Sequence, residues 1–436
     1  MAVEADGVPT VAVHTQAFAR LARNVARVNG TPTLRQAFVP QPVVGLTPGQ
    51  LRAYIDGTDP VANAPFMRVL LDGLTGPLTD QDLAGVSFER NTPRLLDPGT
   101  EADLQRRFEE ERWTDFLPIV LPTEERVAAM LAGTHRRPDE VVGKLRPTHY
   151  REYWEYTVEK VAVNAVMAGA RPAYFPVILA LAASGVTARQ SSTTSWAAPA
   201  IVNGPIRLEI GMNSGIGALG PYSHANATIG RAHALLSQNL QGGSVVGDTY
   251  MGSMGNAYNY ACTWAENEER SPWEPLHVQR GFKPDESVVT VGLGGWYTQS
   301  GYGPRETWEQ RFRHALAACE PYPPPMLLLD PSTARGFVDR GFARKQQLID
   351  WVADNARVTA REYWDDQWVQ TLVRPHAVAG VEPWASMLAA APDAMVRKYR
   401  AEDILVVVLG GETQMAWKMV GMDFRAPVSV KIDDWR

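Results

Sequence analysis

Cysteine is scarce in this chain. Cys262 and Cys319 are the only two among 436 residues. So few thiols exclude a disulfide-dense scaffold and a zinc site built from cysteines, and they are typical of a reducing compartment. The sequence also begins without a basic stretch followed by an apolar run, so no secretory signal is evident. We therefore expect a cytoplasmic protein.

Long apolar runs and an excess of positive charge are also missing. The longest apolar run, Phe175–Ala183 (FPVILALAA), is about half as long as a membrane-spanning helix needs to be and predicts a buried helix. Lysine and arginine total 42 against 48 aspartates and glutamates, a net charge of −6. This balance predicts neither a nucleic-acid groove nor a membrane surface. We expect a small molecule as the binding partner.

Tryptophan, in contrast, is abundant. The chain has 13 tryptophans, several in segments rich in proline or glycine, such as SPWEP, VEPWASML and GGWYTQSGYGP. Tryptophan usually fills cores and interfaces. Because these segments exceed what the core of a monomer needs, we predict a homo-oligomer, and a homodimer as its simplest form. The alternatives are packing between domains and an aromatic ligand pocket.

Alternating strand and helix patterns predict an α/β fold with two units. Residues 1–80 follow a strand–helix–strand–helix order, in which Thr47 caps a helix. Residues 81–115 are charged and irregular, and we interpret them as a connector. Residues 116–436 are predicted to form a larger mixed α/β domain. It begins with a strand before Thr123, and its clearest buried strand is Ile404–Leu409, after which a helix is predicted to run through Lys418.

The densest chemical pattern begins at residue 201 with a loop rich in glycine, asparagine and serine. The loop leads into a predicted helix over Ala225–Asn239. A glycine-rich loop that enters a helix can present backbone N–H groups to an anionic or carbonyl oxygen. We therefore predict substrate-binding roles for four polar residues in and beside the loop: Asn203, Asn213, Ser214 and Asn226. The alternative is a tight packing loop.

Titratable residues follow in the segment CTWAENEERSPWEPLHV. Glutamates that lie close together raise each other's pKa, which suits general acid–base catalysis. We predict that Glu266 and Glu268 transfer protons and that His277 and His224 orient the substrate. Cys262 is the candidate nucleophile of a thiol mechanism, although nearby carboxylates would raise its pKa. The structural alternatives are an acidic surface patch, buried histidines and a buried cysteine.

Two further positions could bind a substrate anion. Lys160 lies in an amphipathic helix predicted over Tyr156–Ala168, where the alternative is an ordinary surface lysine. Gly410, Gly411 and Thr413 follow a buried strand, and open α/β sheets bind ligands at the carboxyl ends of their strands. A metal site built from His224, His277 and a glutamate is a further alternative, although the sequence contains no known metal-binding motif. We predict no metal, and the sequence identifies no cofactor.

Several segments resemble a known family. GVPTVAVHTQAFARLA and VPQPVVGLTP resemble the short α/β domain of the UGSC-type (seleno)cysteine-containing proteins of bacteria. NGPIRLEIGMNSGIGALGP, AENEERSPWEPLHVQRGF and ILVVVLGGETQ resemble the longer domain found attached to it or near it. The cysteine motif that gives the family its name is absent, and Ala170 stands where we expect a cysteine in relatives. Both departures argue against thiol redox chemistry.

Together these patterns favour a soluble enzyme that performs acid–base chemistry on a small carboxylate or carbonyl metabolite. A lyase, a hydratase or a cyclase would fit. The glycine-rich loop would hold the oxyanion and a glutamate would move the proton. We predict that residues 211–226 and 262–277 converge on one pocket. The alternatives are a thiol-dependent redox protein that uses Cys262 and a non-catalytic binding subunit of a larger complex.

Overall fold

The structure is a computed structural model of the chain. It describes residues 8–28, 31–43, 45–77, 79–80, 93–144, 155–188, 198–220, 222–240, 246, 250, 262–292, 294–303, 306–322, 324–422 and 427–436. None of the helices in these ranges is both long enough and apolar enough to cross a bilayer.

The elements are numbered in chain order. The strands are β1 (Ala12–Thr15), β2 (Gln36–Val39), β3 (Thr58–Asp59), β4 (Ala64–Pro65), β5 (Val141–Lys144), β6 (Glu155–Thr157), β7 (Ala200–Asn203), β8 (Thr263–Ala265), β9 (Val288–Val291), β10 (Gly294–Tyr302), β11 (Pro325–Leu329), β12 (Arg357–Thr359), β13 (Met395–Arg397), β14 (Leu405–Val408), β15 (Ala416–Met422) and β16 (Val428–Lys431). The helices are α1 (Ala19–Val28), α2 (Pro48–Ile55), α3 (Phe66–Thr75), α4 (Glu101–Glu110), α5 (Glu124–Leu131), α6 (Val158–Met167), α7 (Phe175–Ala183), α8 (Ile206–Glu209), α9 (His224–Asn239), α10 (Leu276–Gln279), α11 (Trp308–Ala318), α12 (Pro331–Val338), α13 (Lys345–Asn355), α14 (Ala360–Asp365), α15 (Arg374–Val378) and α16 (Trp384–Leu388).

The first unit is built on two short parallel strands. β1 and β2 pair in parallel, and α1 connects them. Ala37, Val39 and Phe66 form a small core between β2 and α3. The predicted cap at Thr47 is confirmed: its hydroxyl accepts the N–H of Gln50, and the Gln50 side chain accepts the N–H of Thr47. This reciprocal capping starts α2 where the sequence places it.

The predicted connector is not irregular throughout. Residues 81–92 lie outside the described part of the chain, but α4 is a regular helix. The Thr100 hydroxyl accepts the N–H of Asp103 and so caps its first turn. Phe108, buried on α4, packs into the core of the larger domain. The high charge of this segment therefore lies on the exposed face of an amphipathic helix, and the interpretation as an irregular connector is wrong there.

The larger domain contains two four-stranded sheets. Sheet one has the order β16–β9–β7–β8, in which β7 and β8 are parallel. Sheet two has the order β10–β15–β11–β14, in which β11 and β14 are parallel. Ile201 and Trp264 of sheet one share an apolar cluster with Leu328 and Val407 of sheet two. The two sheets therefore pack face to face.

Helices cover the outer face of each sheet. Ala200 and Val202 of β7 point to a core shared with α6, α7 and α9. Val406 and Val408 of β14 point to a core shared with α11, α12 and α13. Because successive side chains of a strand alternate between its two faces, the domain has the layer order helix, sheet, sheet, helix. The predicted α/β class is confirmed, and so is the buried helix α7.

Two local predictions in this domain are wrong. Residues 116–122 form no strand, although the helix after them is capped by Thr123 as predicted. Where a helix was predicted through Lys418, residues 410–415 form a loop and Lys418 lies in the strand β15. Its side chains alternate, with Trp417 and Met419 toward the helices and Val420 toward the other sheet. Pairing with β10 and β11 fixes this strand through partners that are distant in the sequence.

A small subdomain, residues 357–397, is inserted between α13 and β14. It comprises α14, α15 and α16, bracketed by β12 and β13, which pair in antiparallel fashion. Its own core includes Tyr363, Val369 and Val396.

Candidate functional site

Polar residues meet where three strands end. β7 and β8 run parallel, so Asn203 at the end of β7 lies beside Glu266, which follows β8. The next residue, Asn267, donates its N–H to the carbonyl of Val408, the last residue of β14, at 2.8 Å. The carboxyl ends of strands from both sheets are therefore joined at one edge of the sandwich. We call this edge the polar edge.

Glu266 is fully buried at the polar edge. One of its carboxylate oxygens accepts hydrogen bonds from Asn203 Nδ2 and from the N–H of Leu276, both at 2.7 Å. The other oxygen lies 3.6 Å from Nζ of Lys345, which is also fully buried. Removing two charges from water is costly unless they compensate each other and find hydrogen bonds. Glu266 is therefore held in the interior by these contacts and is not exposed to solvent.

Glu268 lies closer to solvent on the same network. Its Oε1 accepts the N–H of Gly204 at 2.8 Å and Asn203 Nδ2 at 3.0 Å. The Asn203 amide therefore bridges Glu266 and Glu268. Gly204 has a φ of +83°, and a Cβ there would lie 2.2 Å from a backbone oxygen of Glu286. Only glycine fits this position, so the backbone N–H that Glu268 accepts is held in place by sterics.

Arg207 connects the network to the surface. Its guanidinium is buried, and its Nε lies 3.0 Å from Glu268. Its two terminal nitrogens donate to the two oxygens of Glu269 at 2.9 and 2.6 Å. These bonds lower the pKa of Glu269. Burial lowers the pKa of Arg207, but the hydrogen bonds with Glu269 and Glu268 outweigh it and raise that pKa overall.

The exposure of the three glutamates increases along the chain. The Glu266 side chain is 0% exposed, that of Glu268 13% and that of Glu269 50%. The network of charged side chains therefore extends from Lys345 in the interior to Glu269 at the surface.

Lys345 and Arg207 were missed from the sequence. Lys345 is the first residue of α13, in a charged stretch (ARKQQ) that is typical of a helix surface. No local pattern marks it as buried, because its partner belongs to the other sheet. Arg207 lies in the segment NGPIRLE, so its position just after Asn203 could have pointed to it.

His277 lies next to the polar edge on α10. It is fully buried, and neither ring nitrogen has a hydrogen-bond partner among the described residues. The preceding residue, Leu276, donates its N–H to Glu266.

The glycine-rich loop is closed by its own asparagines. Asn226 Oδ1 accepts the N–H of Asn213 at 3.1 Å, and Asn226 Nδ2 donates to the carbonyl of Asn213 at 2.9 Å. Asn213 Oδ1 in turn accepts the N–H of Gly215. These side-chain groups are therefore occupied within the loop. This arrangement favours the alternative of a packing loop over substrate binding by the asparagines.

The loop nevertheless reaches the polar edge. Gly410, which follows β14 with a φ of +95°, donates its N–H to the carbonyl of Ser214 at 2.8 Å. The carbonyl of Gly410 accepts Asn267 Nδ2 at 3.1 Å. Gly411 packs against Ile216, and Thr413 is exposed beyond it. The loop and the glutamate segment thus meet through Gly410.

Two predicted site residues lie elsewhere. His224 is exposed at the start of α9, where its ring lies 5.8 Å from that of Tyr174. Lys160 is exposed on α6, in the helix layer outside sheet one. Within the described ranges, no three His, Cys, Asp or Glu residues are grouped so that they could hold a metal ion. The described geometry therefore supports neither His224 nor Lys160 as part of the polar edge.

Cys262 lies half-buried at the interface between the two sheets. Burial raises the pKa of its thiol to about 12, so the thiol is protonated at neutral pH. The predicted direction of the shift is confirmed, but its cause is burial and not neighbouring carboxylates. Cys319 is buried at the end of α11. A protonated, buried thiol is a poor nucleophile, which argues against the thiol mechanism.

Comparison with known proteins bears on the first unit. The UGSC family model matches residues 1–64, which confirms the resemblance of this segment to that family. A comparison with the curated proteins finds no match. The match ends before the polar edge begins, so the resemblance of the larger domain still depends on its sequence motifs. Residues 1–64 of this chain are similar to the UGSC family.

Proposed function

We propose that the polar edge is the active site of an enzyme that performs acid–base chemistry on a small carboxylate or carbonyl metabolite. Arg207 would bind the substrate carboxylate and Glu268 would transfer the proton. One observation carries the proposal: the guanidinium group of Arg207 already binds a carboxylate in bidentate geometry. That carboxylate belongs to Glu269, whose side chain is half-exposed.

Glu269 occupies the place that a substrate carboxylate would take. Arginine binds carboxylates through two parallel hydrogen bonds, which is the arrangement between Arg207 and Glu269. An ion pair with one exposed partner is worth only about 0–1 kcal/mol, so the Glu269 side chain can move into solvent at low cost. A substrate carboxylate could then replace it on a buried and preformed cation.

Glu268 is placed for proton transfer to or from such a substrate. Its Oε1 lies 3.0 Å from Nε of Arg207, on the same guanidinium that would hold the substrate. The N–H of Gly204 and the amide of Asn203 fix its orientation. A base beside the carboxylate of a bound acid can remove a proton from a nearby carbon that the carboxylate or a neighbouring carbonyl group activates, and the negative charge is then delocalised onto that group's oxygen. This step is common to lyases, hydratases and cyclases of the kind that the sequence favours.

Glu266 and Lys345 would act as positioning residues. The buried pair fixes the side-chain amide of Asn203, which in turn contacts Glu268. A homodimer and a cytoplasmic location, inferred from the tryptophan and cysteine content, complete the proposal.

Hydrogen–deuterium exchange tests the proton-transfer step without knowledge of the full reaction. The protein would be incubated in D₂O with pyruvate, 2-oxoglutarate and malate, and the carbon-bound protons of each acid followed by NMR. We expect the protein to accelerate exchange of at least one acid above its rate in protein-free buffer, and Glu268→Gln should slow the accelerated exchange roughly 10²–10⁴-fold.

Glu209→Gln is the matched control. Glu209 also forms a two-pronged pair with an arginine, Arg436, and its side chain is 49% exposed. This substitution should leave exchange unchanged. Absence of exchange with all three acids would contradict the proposal, and carboxylate binding without exchange would favour the non-catalytic binding subunit.

A further inference from the structure

A cavity lies away from the polar edge, where the subdomain 357–397 meets the main domain. Its volume is about 360 Å³, and its lining is rich in apolar and aromatic side chains. The subdomain contributes Tyr363, Trp384 and Met387, and the main domain contributes Tyr322 and Tyr399. Pockets for small molecules occur preferentially at such junctions and have volumes of about 300–1,000 Å³.

The cavity is at the opposite edge of sheet two from the polar edge. Pro324 and Asp403 line it; Pro324 directly precedes β11, and Asp403 lies two residues before the start of β14. These two strands are parallel, so their amino ends share one edge and their carboxyl ends the other. Gly410 marks the carboxyl end of β14. A ligand in this cavity would therefore not contact Glu268 or Arg207.

The cations that line the cavity already have partners. Lys398 Nζ donates to the backbone carbonyls of Leu316, Ala317 and Cys319 at the end of α11. Arg397 pairs with Asp354. Arg400 donates to the carboxylate of Asp403 at 2.7 and 2.8 Å. An anionic ligand would have to displace these contacts, so the lining favours a neutral ligand.

Trp384 contributes an aromatic ring to the lining. The guanidinium of Arg400 lies 4.9 Å from the centre of its ring, and the ring of His376 lies 5.7 Å from it. These contacts hold the indole ring in place. Aromatic ligands gain energy from face and edge contacts with such rings, beyond the burial of their area.

We propose that this cavity binds a neutral aromatic compound of one or two rings. An apolar cavity of about 150 Å³ accommodates benzene, so a cavity of about 360 Å³ has room for a two-ring system. Its lining contains tyrosine and tryptophan rings, and its cations already donate to carboxylates or backbone carbonyls.

Binding of indole, a neutral two-ring probe, tests the proposal. Titration of the full chain by calorimetry should give a dissociation constant on the order of 1 mM, because indole is small and would make no charged contacts in the cavity. Met387→Trp fills the cavity and should weaken binding by about tenfold or more. Trp384→Ala removes one wall and should weaken it by roughly three- to tenfold.

Ala173→Trp is the control. It adds the same side chain in a different cavity, of about 290 Å³, and should leave indole binding unchanged. Thermal unfolding would identify variants that do not fold, and the two cavity variants provide independent tests. Indole-3-acetate should bind more weakly than indole. The proposal is overturned if the wild type fails to bind indole at about 10 mM, if a folded Met387→Trp variant binds it as tightly, or if the anion binds better.

Discussion

Replacement of Glu269 by alanine should strengthen the binding of small carboxylates at the polar edge. In the structure Glu269 occupies the two terminal nitrogens of Arg207. An added carboxylate must compete with this intramolecular partner. The Glu269→Ala variant removes the competitor and leaves the buried guanidinium in place, because Glu268 still lies 3.0 Å from its Nε.

The size of the effect follows from the exposure of the pair. Arg207 is 5% exposed but Glu269 is 50% exposed, so solvent screens the interaction and its net worth is about 1 kcal/mol. Loss of a competitor of that strength tightens carboxylate binding about fivefold. The same change removes the partner of two Arg207 donors, which should cost about 1 kcal/mol of folding stability for a pair with one exposed member.

Calorimetric titration with pyruvate measures the effect directly. Wild type, Glu269→Ala and Glu209→Ala would be compared at the same ionic strength, because salt screens the pair. Glu209→Ala removes the carboxylate partner of Arg436 in the same way and should not change binding at the polar edge. Arg207→Lys, which loses the two-pronged geometry, should weaken binding. If Glu269→Ala binds pyruvate no better than the wild type while its fold is intact, Arg207 is not the carboxylate clamp.

Two further predictions concern buried titratable groups. Burial lowers the pKa of His233 from 6.5 to about 4, so the unfolded chain binds a proton at this histidine more readily than the folded chain does. The free energy of unfolding should therefore be unaffected by His233 above pH 6.5. It should fall by about 3 kcal/mol as the pH is lowered from 6.5 to 4. Denaturant unfolding at pH 7 and pH 4 should reveal this loss, and the His233→Gln variant should lack the part of the loss that His233 causes. If the variant and the wild type lose the same stability between these pH values, His233 does not titrate as its burial implies. Cys262→Ser should retain proton exchange and lose about 1 kcal/mol of stability, whereas complete loss of exchange in a folded variant would restore the thiol mechanism.

Local signals in the sequence predict much of the fold. The cap at Thr47 and the strand ILVVVL were predictable because their determinants lie within a few residues. The segment around Lys418 was not, since it is a strand only through its pairing with β10 and β11. The four-layer order also escaped prediction, because alternating apolar residues do not say which partner covers each face.

The candidate site was predictable only in part. Glu266 and Glu268 stand out in the sequence, and the parallel strands bring Asn203 beside them. Lys345 has no such signal, because only the packing of the two sheets brings α13 to β8. The asparagines of the glycine-rich loop were interpreted as substrate ligands, yet in the structure they hydrogen-bond to each other. A polar composition indicates that hydrogen bonds exist, but it does not identify their partners.

The buried pair of Lys345 and Glu266 has a mechanical consequence for the sandwich. Lys345 belongs to a helix on sheet two and Glu266 follows a strand of sheet one. If one sheet slid over the other at this edge, the two charges would separate without reaching water, at a cost of several kcal/mol. Relative motion of the two sheets should therefore be smallest at this edge, where the buried pair holds them together.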